Sequence, residues 1–284
     1  VEKREFDWND MMRKVDKTNK FIKEAVSANK KIYVLDDYVP LGGGESGKRD
    51  KFGNRANQSE FGYTDKSFKD YINIPDRTIM VVEEENDKYV KVKIDAYDNG
   101  TYYLKPSTRR FLKDAGITSE ITRFIYVDRA SQNEMIIEKN GNSWNVVTSS
   151  FVTTGKDGSG SYETPHGAFL IAFTRGYMPF TRKAREGDTP LPERPDLTIA
   201  GVAKFAVRFS GGGYLHGIPV NTHFKGETAL TETAAKIGTF KESHKCVRHF
   251  DDQVGFIVDW INAGSKIKDG DNTIPEEPVV AIVL

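Results

Sequence analysis

From Thr78 onward the chain is written mostly in short β-prone runs, too brief for helices and separated by turn signals. Thr78-Ile79-Met80-Val81-Val82, the run 88–94 and Thr101-Tyr102-Tyr103-Leu104 come first, divided by Glu-Asn-Asp and Asp-Asn-Gly. Residues 124–127, 134–138, 144–147, 168–173 and 203–209 follow, with Asn140-Gly141-Asn142 as a hairpin turn. Strands this short bury their apolar faces only by closing into a barrel or packing sheet on sheet, so the chain is mainly β.

Two stretches carry a helical period. Trp8, Met12, Val15, Ile22 and Val26 form the stripe of an amphipathic helix over about residues 8–28, expected to pack on the body of the protein. Asp252 to Trp260 runs into Ala263-Gly264, a helix with a glycine stop, and a last strand is expected over 278–284. Residues 41–67 are rich in Gly, Ser, Asn and Asp and read as irregular. Residues 108–119 read as a connector between halves. The stretch 174–200, crowded with Pro179, Pro190, Pro192 and Pro195, reads as one long binding loop or lid.

Lys+Arg and Asp+Glu both total 41, so composition offers no basic face for nucleic acid. The longest clean apolar run, 279–284, is far too short to span a bilayer. The chain begins at Val1 without a basic-then-apolar leader, which reads as a processed or trimmed fragment and is compatible with a removed export signal.

Gly42-x-x-x-x-Gly47-Lys48 has the spacing of a phosphate-binding loop, but Arg49 stands where a magnesium-binding hydroxyl is required, so a flexible turn is expected. The single cysteine excludes an internal disulfide and focuses attention on Ser243-His244-Lys245-Cys246-Val247-Arg248-His249. Lys241, Lys245, Arg248 and the nearby imidazoles supply surroundings expected to lower a thiol pKa. His216, at the end of an apolar run after Gly211-Gly212-Gly213-Tyr214-Leu215, is a candidate base distant in sequence. Two other readings of Cys246 stay open: a buried apolar filler beside a solvated charge run, or a metal site with His244, His249 and His216 or His223.

His216-Gly217, then Ser243-His244-Lys245-Cys246-Val247-Arg248, then a helix ending in Ala263-Gly264 resemble the YkuD-type L,D-transpeptidase catalytic domain, whose signature is His, a loop, and Ser-His-Gly-Cys-apolar-Arg/Asn. Ile125-Tyr126-Val127-Asp128 with Asn133-Glu134-Met135 is similar to the family's opening hairpin. Thr153-Thr154-Gly155-Lys156 with Glu163-Thr164-Pro165-His166-Gly167-Ala168-Phe169 is similar to its "stGk…tPtGxF" stretch. The resemblance covers about residues 121–284. It implies a mixed β-sandwich or barrel catalytic domain with a C-terminal helix. That domain would follow an N-terminal helix (1–30) and an accessory α+β region (31–120) whose strands resemble an SH3-type small barrel.

The resemblance further implies an exported enzyme of the periplasm or cell wall, acting on peptidoglycan stem peptides without a cofactor or metal. Cys246 would attack the third stem residue and expel D-alanine, with His216 as base. An amine acceptor makes a 3-3 cross-link, and water gives carboxypeptidase activity. Lys245, Ser243, His244 and Gly217 would shape the nucleophile turn and oxyanion site. Arg248 and Tyr214 would contact substrate, and a carbapenem-type β-lactam would acylate the cysteine. A catalytically silent wall-binding module is the reading of a different class. Two departures from the family pattern stand out. Lys245 replaces its Gly, which strains any positive-φ backbone, and 26 residues separate His216 from Ser243, with 222–242 as an inserted cap. Both the 174–200 and 222–242 stretches are expected to close over substrate.

Overall fold

The computed structural model describes residues 5–38, 59–95, 100–158, 161–221 and 233–284. The first element, α1 (Trp8–Ser27), starts where the Asp7 side chain accepts from the Asp10 amide at 2.9 Å, satisfying one of the helix's open N–H groups. Met11, Val15, Ile22 and Ala25 recur at helical spacing and are buried with Phe21. Each such side chain contributes about 1.5–3 kcal/mol when fully removed from water, less for Ala. Trp8, expected in that stripe, lies before it and is exposed.

A first sheet follows from β1 (Ile32–Leu35), β2 (Ser59–Tyr63), β3 (Tyr71–Pro75), β4 (Ile79–Glu85), β5 (Val90–Ile94), β6 (Gly100–Leu104) and β7 (Leu112–Asp114), in the order β3-β2-β6-β5-β4-β1-β7. The second uses β8 (Arg123–Asp128), β9 (Asn133–Asn140), β10 (Ser143–Phe151) and β11 (Gly167–Leu170). A third contains β12 (Phe173–Lys183), β13 (Leu197–Ser210), β14 (Gly213–His216), β15 (Val220–Asn221) and β16 (Val247–Arg248). Helix α2 (Asp251–Asn262) comes next, then β17 (Lys268–Asp269) and β18 (Asn272–Thr273), which join the third sheet, and β19 (Val280–Val283). In the second sheet β19 lies between β8 and β11, parallel to β8 and antiparallel to β11.

Strands β8, β9, β11 and β19 of the second sheet are buried on both faces, which is why they read as near-continuous apolar runs, while the edge strand β10 is largely exposed. Phe124, Tyr126, Val280 and Ile282 face one way, packing with α1 and with Ile32, Val34, Ile79 and Val81 of the first sheet. Ile125, Val127, Ala281 and Val283 face the other, packing with Val207, Phe209 and Leu215 of the third sheet and Ile257 and Ile261 of α2. The region before residue 121 thus shares a core with the region after it. Hydrogen bonds stitch the same seam: Leu170 N donates to Arg77 O at 3.1 Å, and the Arg77 side chain donates through Nε to Leu170 O at 2.9 Å. Helix α2 has no basic residue in its last turn. Arg123 supplies the cation from β8, donating to the carbonyls of Trp260 and Ile261. The helix ends as Ala263 turns left-handed (φ 38°), followed by Gly264 (φ 86°).

Several expectations change. The stretch 174–200 is not one loop but a long antiparallel hairpin of β12 and β13, with the connection confined to 184–196. Ser59–Tyr63 forms a strand within the segment expected to be irregular. The expected connector contributes a short 3-10 turn (Pro106–Phe111) and then β7, an edge strand on β1. The run 168–173 breaks after Leu170 into β11 and β12, which belong to different sheets. The Gly42 to Lys48 turn and residues 222–232 of the expected cap lie outside the described residues.

Candidate active site

Strands β14 and β16 are parallel, with Leu215 opposite Val247 and His216 opposite Arg248. Side chains two apart share a face, so Tyr214, His216, Cys246 and Arg248 project to one side. Ala206 opposite His216 and Arg208 opposite Tyr214 extend that face onto β13. Tyr214, Cys246, Met178 and Ala206 form one buried apolar cluster, with Tyr38, Phe173 and Phe180 against it. Phe180 meets the His216 ring edge to face at 5.4 Å.

His216 is 1% exposed, and its Nδ1 lies 2.7 Å from Gly217 O. A carbonyl only accepts, so Nδ1 carries the proton and Nε2 keeps its lone pair. Burial pulls the imidazole pKa down to about 3 against the raising effect of the Gly217 carbonyl, with Arg248 and His249 pulling the same way as burial. Gly217 is required by space: a Cβ there would lie 2.3 Å from Asp251 Oδ1 and 2.9 Å from Lys204 O. Asp251 Oδ1 accepts from Ile218 N at 2.9 Å, anchoring the chain just past the histidine.

The Cys246 thiol donates to Gly212 O at 3.6 Å. Burial pushes its pKa up, which the Tyr214 backbone, Arg248 and Lys245 only partly offset. The expectation of a low-pKa thiol is therefore corrected, because desolvation outweighs the neighbouring cations. Lys241 is not among those cations; it pairs with Glu163. Arg248 is itself desolvated, which lowers its pKa against the pull of Cys246 and Glu242.

The turn carrying Cys246 is clamped by a segment distant in sequence. Thr153 and Arg248 exchange backbone bonds at 3.0 and 2.9 Å, Ser243 N donates to Thr154 O at 3.0 Å, and Lys156 N donates to Ser243 O at 2.9 Å. The Thr164 hydroxyl donates to Lys245 O at 2.9 Å and accepts from Gly155 N at 2.7 Å. Lys245 has φ 107°, the strained region expected where the family pattern has glycine. Ser243 is buried and His244 is exposed on the turn.

His249 does not join Cys246. Its Nε2 lies 3.0 Å from Glu134 Oε2 in a buried pair, and its N donates to His216 O. Among the described residues no three His, Cys, Asp or Glu side chains are grouped to hold a metal, and His223 lies outside them. Gly155, Thr164, Asp251 and Glu134 were not singled out from sequence as site residues, and His249 was named only as a candidate metal ligand. Gly155 and Thr164 stood in the quoted motifs, but nothing local tied them to the turn that carries Cys246. Tyr38, whose hydroxyl lies 2.8 Å from that of Tyr214, carried no signal at all.

A family model described as the L,D-transpeptidase catalytic domain, YkuD, matches residues 122–269, just over half of the chain. No curated protein sequence matches. Among solved structures, an L,D-transpeptidase from Mycobacterium smegmatis is 16% identical, covering 69% of this chain and 90% of its own, with TM-score 0.37. L,D-transpeptidase LdtMt1 in complex with imipenem is 14% identical, covering 92% and 85%, with TM-score 0.38. A fused Zn-dependent amidase/peptidase/peptidoglycan-binding domain-containing protein from Clostridium acetobutylicum is 13% identical, with TM-score 0.34; the match covers 57% of this chain and 52% of that one, so this chain spans about half its length. Structural likeness at these scores carries no weight of its own, and the assignment rests on the 122–269 match. With His216 and Cys246 on one face inside that match, the chain belongs to the YkuD family of L,D-transpeptidase catalytic domains.

Proposed function

We propose that the protein is a cysteine L,D-transpeptidase acting on peptidoglycan stem peptides. The observation that carries this reading is the His216 tautomer: Nδ1–H is committed to Gly217 O, leaving Nε2 as a base on the face that bears Cys246. At rest the pair is neutral thiol and neutral imidazole. As sulfur attacks the carbonyl carbon of the third stem residue, His216 Nε2 takes the thiol proton. The C–S bond forms, the C–N bond to terminal D-alanine breaks, and the imidazolium returns its proton to the leaving amine. Burial makes that imidazolium a strong acid, which favours the return. The thioester is then opened by the side-chain amine of a neighbouring stem, giving a 3-3 cross-link, or by water, giving a carboxylate.

The Lys245 and Cys246 backbone N–H groups are candidates for the oxyanion site, each such donor worth about 3–4 kcal/mol. Ser243 and His244 shape the turn, and Arg248 and Tyr214 face the substrate. An enzyme acting on peptidoglycan works outside the cytoplasmic membrane, and the family match supports an exported protein. No helix among the described residues is long and apolar enough to cross one.

The test is intact mass of the wild type and Cys246→Ala after incubation with a disaccharide tetrapeptide. D-alanine release with dimer formation establishes transpeptidation, and release without dimer establishes the carboxypeptidase. Neither product, together with a thiol that alkylates no faster than free cysteine, leaves a wall-binding module. A carbapenem is a second probe: an acyl adduct is expected on the wild type and not on Cys246→Ala.

A further inference from the structure

Two neighbouring rows of side chains cross the third sheet from β12 to β14. In one, Phe173 stands opposite Arg208 and Arg208 opposite Tyr214, which packs with Cys246. In the other, Arg175 stands opposite Ala206 and Ala206 opposite His216. Residues directly opposite in antiparallel strands project to the same face, so Arg175 shares the face of His216, with about 10 Å between their backbones at the usual strand spacing. Ala206, the residue between them, is wholly buried and contributes only a methyl group to the space that separates the guanidinium from the imidazole.

Two guanidiniums thus reach the aromatic wall beside Cys246, and their surroundings differ. Arg208 lies 4.3 Å from the centre of the Tyr38 ring and 5.5 Å from that of Phe173, and its charge is matched: Nη1 donates to Asp76 Oδ2 at 2.6 Å and Nη2 to Asp36 Oδ1 at 3.2 Å. Arg175 lies 5.5 Å from the centre of the Tyr214 ring and 5.7 Å from that of Phe173. Among the described residues no acid pairs with it, and its Nε is buried without a hydrogen-bond partner. A ring face attracts a cation but cannot take the parallel hydrogen bonds of the guanidinium fork, and the group whose shape matches that fork is a carboxylate. The reaction proposed for Cys246 brings one to this side of the sulfur. His216 returns its proton to the leaving amine, so the leaving residue lies toward the imidazole. The carbon that bears the amine also bears that residue's free carboxylate, which then falls on the row leading through Ala206 to Arg175.

We propose that Arg175 is a specificity-determining residue: its guanidinium receives the free carboxylate of the leaving residue, so that the enzyme cuts next to a chain end rather than within a longer peptide. The inference rests on the enzymatic reading of Cys246 and His216. A stem whose leaving residue is amidated or extended offers an uncharged amide at the same place.

The experiment compares the disaccharide tetrapeptide with the same molecule carrying a C-terminal carboxamide, reading release of D-alanine or D-alanine amide by the full-length wild type, Arg175→Lys and Arg175→Met. A charge-assisted pair of hydrogen bonds corresponds to a preference of about 10- to 100-fold in kcat/KM for the free acid, expected in the wild type. Arg175→Met is expected to lose that preference, and Arg175→Lys, which keeps the charge without the fork, to fall between. Alkylation of Cys246 by iodoacetamide, a neutral reagent, is expected to match wild type in both variants. Equal wild-type rates on acid and amide would overturn the inference by themselves, however the variants fold. An undiminished preference in Arg175→Met would also overturn it, and so would a loss on both substrates alike together with altered alkylation, which would make Arg175 a packing residue. Release of neither product by the wild type fails the enzymatic reading and this inference with it, whereas release at equal rates fails this inference alone.

Discussion

In the proposed mechanism His216 concentrates the demands of the site in one ring, which has to stay neutral, buried and in the Nδ1–H tautomer. Its folded pKa near 3 lies below the ordinary 6.5, so between those values the unfolded chain binds a proton that the folded chain refuses. This contribution is harmless above pH 6.5 and costs the fold up to about 1.4 kcal/mol for each unit of pH lost below it, until the folded ring protonates near 3. Urea unfolding of wild type and His216→Gln across that window should show a steeper acid loss in the wild type; parallel curves would mean the ring is not kept neutral. The neighbouring glycine is constrained just as closely. Gly217→Ala drives a methyl into the Asp251 carboxylate and the Lys204 carbonyl. A loss of about 1–3 kcal/mol is expected in denaturant midpoint analysis, with slower carbapenem acylation as the histidine is displaced.

The segment around Thr153, Thr154 and Gly155 behaves as a splint for the turn that carries Cys246. Gly155→Ala would meet only backbone, Tyr162 O at 2.4 Å and the Lys245 main chain, none of which can swing aside. The turn must move instead, and displacement of about 1 Å costs on the order of 100-fold in rate. Carbapenem acylation should therefore fall far more than thermal stability does, and an equal fall in both would assign Gly155 to folding alone. The motif residues of this splint were legible in the sequence, as were α1, α2 and strands with strong alternation. The β12–β13 hairpin was not, because its prolines read as breakers. Pro179 is nevertheless tolerated opposite Val202, since β12 meets its other neighbour β18 only at Thr174 and is otherwise an edge there. Strand β2 was hidden by the polar, glycine-containing run around it. The Asp76–Arg208 and Tyr38–Tyr214 contacts join residues more than a hundred positions apart and leave no local pattern to read.

At the scale of the molecule, α1 and the first sheet close the core over one face of the second sheet. The chain should accordingly unfold in one cooperative step, with calorimetric and van't Hoff enthalpies in agreement. Ile22→Ala, a wholly buried truncation in α1, should lower stability by about 2–5 kcal/mol and shift that single transition without splitting it. Two resolved transitions would show that the regions before and after residue 121 melt independently. One further consequence lies in the pairing of β8 with β19, which sets Phe124 beside Val280 and encloses everything from β9 to α2 in a single closed loop. Contacts between residues so distant in sequence slow folding, because the chain must give up the loop's freedom before the pairing rewards it. The face bearing His216 and Cys246 lies wholly inside that loop. Refolding kinetics should therefore show the competent thiol emerging late, with the last native signal, rather than in an early compact state.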